Sequence, residues 1–136
     1  MLPFLMGEKM NCCCDKTLEL KIKQGESLGF AFTLSENGTP VDLTNSTLTM
    51  QVRENIEDTG EYLINKTIST ESDPDTLGII VSPLEGKFMF KVNASDIASM
   101  STTQPYFVAI YHINGDIKDC ISANNHQVAK FLVMNP

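Results

Sequence analysis

Asn37-Gly38 stands between two runs of alternating apolar and polar residues, and this arrangement constrains the chain more than any other feature. Both residues tolerate the positive φ that a tight hairpin turn requires. Before the turn, Leu28, Phe30, Phe32 and Leu34 alternate with Gly29, Ala31, Thr33 and Ser35. After it, Pro40 fixes φ as the chain leaves the turn, and Leu48, Met50 and Val52 alternate with Thr49, Gln51 and Arg53. A period of two places one set of side chains on a core and the other toward solvent, so each run reads as a half-buried strand.

The same grammar recurs along the chain. Leu18, Leu20 and Ile22 predict an earlier strand, turned by Gln24-Gly25-Glu26. Tyr62, Ile64 and Ile68 predict another, with Lys66 interrupting its apolar row. Leu77–Ser82 reads as a short strand stopped by Pro83, and Glu85-Gly86 as a turn into the row Phe88, Phe90, Val92. Ser95–Met100 offers one helical turn. Tyr106–Ile113 is apolar at both parities, which predicts a central strand covered on both faces. Asn114-Gly115-Asp116 is a second hairpin turn, and a last strand is expected over roughly 127–134. About eight strands with turn signals every ten residues or so predict an all-β sandwich rather than a βαβ fold.

Charge narrows the function classes. Ten basic against seventeen acidic residues give a net charge of −7, and Arg53 is the sole arginine. A nucleic-acid partner is not expected, because phosphate neutralisation needs clustered Lys and Arg. No apolar run has the length of a membrane-spanning helix, so no membrane partner is expected either. Met1–Met6 lacks the basic flank and apolar length of a signal peptide, and residues 1–9 read as an upstream extension if synthesis starts at Met10. Synthesis in a cytoplasm is the expectation.

Candidate chemistry is sparse. Cys12-Cys13-Cys14 is the oddest segment. In an extended chain adjacent cysteines alternate sides, so only Cys12 and Cys14 share a side and stand as weak metal candidates. A reduced terminal segment is the favoured reading, and an intersubunit disulfide or metal clip comes second. Cys120, His126 and Asp116 or Asp119 have the residue types of a thiol hydrolase but lack an oxyanion element or a strand-to-helix nucleophile turn. His112 falls in the row of Tyr106, Val108 and Ile110 and reads as a satisfied core or interface histidine. Glu71, Asp73 and Asp75 crowd one loop without the spacing of a calcium loop. The Asn-x-Ser/Thr sequons at Asn37, Asn45, Asn65 and Asn93 read as chance matches. No catalytic residue, cofactor or metal is expected, and the chain is not read as an enzyme.

Three phrases carry a family resemblance. They are Ile22-Lys23-Gln24-Gly25-Glu26-Ser27 leading into Phe30–Leu34; Asn37-Gly38-Thr39-Pro40-Val41-Asp42-Leu43-Thr44 before Leu48–Arg53; and Glu85–Val92 followed by Tyr106–Tyr111 and Asn114-Gly115-Asp116. In that order, over roughly residues 17–134, they resemble the small immunoglobulin-like domain of tailed-phage structural proteins, best known from the N-terminal domain of baseplate upper proteins. The family usually has Gly after the Asp-Leu-Thr, where this chain has Asn45, a residue that also accepts left-handed φ.

The resemblance implies an immunoglobulin-like β-sandwich of about seven to nine antiparallel strands with one short helical turn, over residues 17–136. Residues 1–16 are expected to form an extended or flexible N-terminal arm. It implies a non-enzymatic virion component of a tailed bacteriophage, in the baseplate, tail, neck or capsid (an accessory or head-fibre protein), assembled in the host bacterial cytoplasm. The implied partners are other virion proteins and copies of the chain itself. Leu2, Phe4, Cys12, Cys13 and Cys14 are the candidate interface residues of the arm. Lys21, Lys23, Lys87 and Lys91 are expected to guard exposed sheet edges. The alternative is a carbohydrate- or receptor-binding module, disfavoured by the lack of Trp and the presence of only three Tyr.

Overall fold

The computed structural model describes residues 18–54, 62–121 and 129–136, together with the backbone of residues 4–6. Eleven strands are seen among them: β1 Phe4–Met6, β2 Glu19–Lys23, β3 Leu28–Glu36, β4 Thr39–Pro40, β5 Thr47–Arg53, β6 Ile64–Ile68, β7 Gly78–Ser82, β8 Lys87–Val92, β9 Tyr106–Asn114, β10 Ile117–Cys120 and β11 Ala129–Met134. They form two sheets, one in the order β1-β3-β8-β7 with β4 paired to β3, the other β2-β11-β9-β5-β6 with β10 paired to β9. Taking β1, β3, β8 and β7 as one layer and β5, β9 and β11 as the other gives the strand order of an immunoglobulin-like sandwich. β6 extends the second layer, as an extra strand does in variable-type domains.

The alternation that predicts strands also selects the core. Leu48, Met50 and Val52 of β5 are fully buried, as are Phe131 of β11 in the same sheet and Phe88 and Phe90 of β8 in the other. Burying each such side chain contributes about 1.5–3 kcal/mol. Phe88 and Phe90 meet edge to face with ring centroids 5.8 Å apart. The turns obey their residues: Asn37 (φ 54°) and Gly38 (φ 79°) both adopt positive φ, as does Gly115 (φ 61°). The Asp42-Leu43-Thr44-Asn45 phrase works as a unit. Asp42 accepts the Thr44 N–H at 2.8 Å, and the Thr44 hydroxyl, followed by that N–H, holds its carboxyl below the usual range. Asn45 then takes the left-handed conformation (φ 61°) that feeds β5.

Several expectations need correction. β2 and β11 pair in parallel, so the sheets are not wholly antiparallel. Two 3-10 turns, Pro83–Glu85 and Ala94–Asp96, replace the single helical turn expected over Ser95–Met100. β9 lies centrally in its sheet and is covered unequally: Tyr106, Val108, Ile110 and His112 are buried, while Phe107, Ala109, Tyr111 and Ile113 are half-buried on the outward face, where Thr49 and Gln51 of the neighbouring β5 are buried. Lys87 and Lys91 guard no edge, because β8 is flanked by β3 and β7. Lys21 and Lys23 do lie exposed on the edge strand β2.

One fold device was not anticipated. Tyr106, at the start of β9, receives the Ser101 N–H on its hydroxyl at 2.6 Å, the tyrosine-corner arrangement of immunoglobulin-like domains. Tyr106→Phe removes the acceptor of that amide. The expected cost is about 1–3 kcal/mol of stability, read from urea denaturation midpoints.

Candidate functional site

Lys66 is the most unusual side chain among the described residues. Its place between Ile64 and Ile68 on the inward parity of β6 sends a charged group into the sandwich, where it is 6% exposed. Its ammonium donates to Thr76 O at 2.6 Å, Lys91 O at 2.7 Å and Asp96 Oδ2 at 2.6 Å. An ammonium has three protons, and all three are spent. Asp96 Oδ2 also accepts the Asn93 N–H at 2.7 Å, so the carboxylate reaches back to cap the turn that Asp96 ends. Lys66 thereby ties the second sheet to the end of β8 and the entry to β7 in the first. A lysine so bound is a strut between layers; nucleophilic chemistry needs a neutral, accessible amine.

His112 sits at the end of the buried row of β9, as expected, and its Nε2 lies 2.9 Å from the buried Ser46 Oγ. Asp119 stands opposite His112 on β10. Burial, the larger influence, lowers the His112 pKa below 6.5, while the Asp119 charge pulls it upward. Ser, His and Asp thus come together, but Ser46 is only 4% exposed, which leaves no approach for a substrate to its hydroxyl. The bond pins the turn before β5 to β9. Nothing local in the sequence signals Ser46 as the partner, since 66 residues separate the two.

A titration follows from this geometry. The unfolded chain binds a proton at His112 more readily than the folded one, so stability is complete above about pH 6.5 and falls as pH drops toward the lowered pKa. Denaturation midpoints between pH 7.5 and 5.5 are expected to decline by less than about 1.4 kcal/mol per pH unit. In His112→Gln that slope flattens; an unchanged slope would assign it to other groups.

Among the described residues the thiol-hydrolase residue types do not converge. Asp119 shares a strand face with His112, whereas Cys120, opposite Tyr111, points to the other face and is exposed. His126 lies outside the described residues, as do Leu2 and Cys12, Cys13 and Cys14. Of Phe4 the backbone is described: it pairs with Ser35, as Leu5 does with Leu34 and Met6 with Thr33, so β1 lies on the chain's own β3.

Within the acidic loop the Asp73 carboxylate is spent on architecture. Asp73 Oδ1 accepts the Asp75 N–H, and its Oδ2 accepts the Thr76 hydroxyl, each at 3.0 Å. The Asp73 carbonyl accepts the N–H groups of Leu77 and Gly78, Ser69 O accepts that of Ile80, and the Ser72 hydroxyl donates to Gly78 O. Residues 69–73 therefore occupy polar backbone groups along the outer edge of β7, which would otherwise invite strand pairing. Among the described residues no three His, Cys, Asp or Glu side chains are grouped to hold a metal ion.

The outward face of the second sheet carries a different cluster. Arg53 donates from Nη2 to the Tyr111 hydroxyl at 3.3 Å, and its guanidinium lies 5.5 Å from the Tyr62 ring centroid. The Lys118 ammonium lies 4.4 Å from the Tyr111 centroid. Cations over aromatic rings contribute about 0.5–1 kcal/mol at exposed sites and preorganise each other's position. The parity of Arg53 on β5 and Tyr111 on β9 is legible in the sequence, but their adjacency depends on the β5–β9 register. In comparisons with known proteins, no family model and no curated protein matches the chain.

Proposed function

We propose that this chain is a non-enzymatic structural module of a tailed-phage virion, docked in multiple copies through protein–protein contacts. The observation that supports this reading is where the chemically capable side chains go. Lys66, Asp96, Asp73, Ser46 and His112 all spend their polar atoms inside the module, bracing turns and joining sheets. What the fold presents outward is sheet surface and loops, which suits docking rather than turnover. The phrases behind the phage resemblance also take structural roles: Gln24-Gly25 joins β2 to β3, Asn37-Gly38 joins β3 to β4, Glu85-Gly86 enters β8, and Asn114-Gly115 joins β9 to β10.

Modest contacts repeated around a symmetric assembly hold firmly by avidity. The alternative of a carbohydrate-binding surface has less support, because Lys118 lies over the Tyr111 ring and Arg53 over that of Tyr62. Electron microscopy of particles made with the gene deleted tests the proposal. Particles lacking a defined substructure, restored by supplying the chain in trans, are the expected result. Normal, infectious particles would count against it.

A further inference from the structure

The charges of this acidic chain are unevenly placed. Lys21, Lys23, Arg53, Lys118 and Lys130, five of its ten basic residues, all fall on the outward face of the second sheet. Strand parity fixes this: each alternates with a buried core residue or, for Lys118, stands opposite the outward Ile113. Among the described acids Glu19 alone shares the face, paired in register with Lys130. Among the described residues off this face eleven acids stand against three lysines, so the rest of the described surface is strongly acidic. The centre of the face is held by Tyr111 between Arg53 and Lys118, with half-buried Phe107 in register between Arg53 and Lys130. Aromatic and arginine groups ringed by charge are the composition of a protein-docking surface.

From this charge separation we propose that the outward face of the β2-β11-β9-β5-β6 sheet docks the acidic surface of a second copy of the chain, through the exposed loop bearing Glu71 and Asp75. Two copies cannot meet face to face, because like charges would be opposed. The contact is therefore head to tail: the basic face of one copy takes the acidic loop of the next. Such a heterologous contact closes into a ring where its rotation allows. This inference rests on the structural reading above and names its partner.

Analytical ultracentrifugation of the full chain over a series of salt concentrations tests it. Self-association is expected at about 50 mM NaCl and its loss at about 0.5 M, where the screening length falls to a few ångströms. The face variant Lys118→Glu/Lys130→Glu and the loop variant Glu71→Lys/Asp75→Lys should each weaken association at least about tenfold, with unfolding midpoints checked to be near that of the parent. Mixed together, a face made acidic meets a loop made basic, and association should return. A chain that stays monomeric at low salt, or association that neither variant weakens, would overturn the inference. Either outcome leaves the structural-module reading to be judged by the particles of the gene deletion.

Discussion

Lys66→Met is expected to lower the unfolding free energy by about 3 kcal/mol, among the largest losses any single substitution here can cause. Methionine keeps the apolar stem and all but one heavy atom of the side chain's length, so the cavity term is small. What is lost is the cation. Thr76 O and Lys91 O lose their donor, and Asp96 keeps a carboxylate facing a site with no positive charge. Asp96 is 28% exposed, so water relieves part of its isolation and the loss falls at the lower end for a broken buried pair. Adding Asp96→Asn to Lys66→Met should cost less than the two single losses combined, because the charge left stranded is then gone. Urea denaturation measures both, with an unchanged slope indicating that only stability moved. A loss below about 1 kcal/mol for Lys66→Met would mean that the strut contributes little beyond its own desolvation.

Gly78→Ala should be at least as damaging, by about 3 kcal/mol or more, for a backbone reason. Gly78 opens β7 with φ 110°, a conformation L-residues rarely adopt. A Cβ there would also run into the Met89 carbonyl oxygen and lie 2.8 Å from the Phe90 Cα, so β7 would have to leave its place beside β8. Gly115→Ala is the control. It too has positive φ (61°), but nothing lies within 4 Å of its added Cβ, so only the turn strain of about 1–2 kcal/mol is expected. Equal losses at the two positions would contradict the close approach of β7 to β8.

These two residues mark the limit of what the sequence discloses. Alternation located the principal strands closely, since burial on one face writes a period of two into each. The hairpin at Asn37-Gly38 was legible because its chemistry is local. Lys66 was visible as an exception to its row, but its partners lie 10, 25 and 30 residues away and no local signal pairs them. The parallel pairing of β2 with β11 was hidden for a related reason, as parity is the same in either strand direction. Parity placed Lys87 and Lys91 on a strand face but could not say whether that strand lay at an edge. Apolar content misled at β9, where Tyr111 reads as core yet sits outward beneath Lys118. The tyrosine corner was equally silent, because a buried Tyr in a core row looks like any other aromatic until its hydroxyl finds the Ser101 amide.

The proposed role in a virion requires the chain to be physically part of the particle. Quantitative mass spectrometry of gradient-purified particles, with isotope-labelled peptides of this chain and of the major capsid protein as standards, tests that most directly. The account predicts the chain in every preparation, in a fixed ratio to the capsid protein that corresponds to multiple copies on a symmetry axis or lattice. Its absence from particles, while it accumulates in the infected cell, would contradict the account.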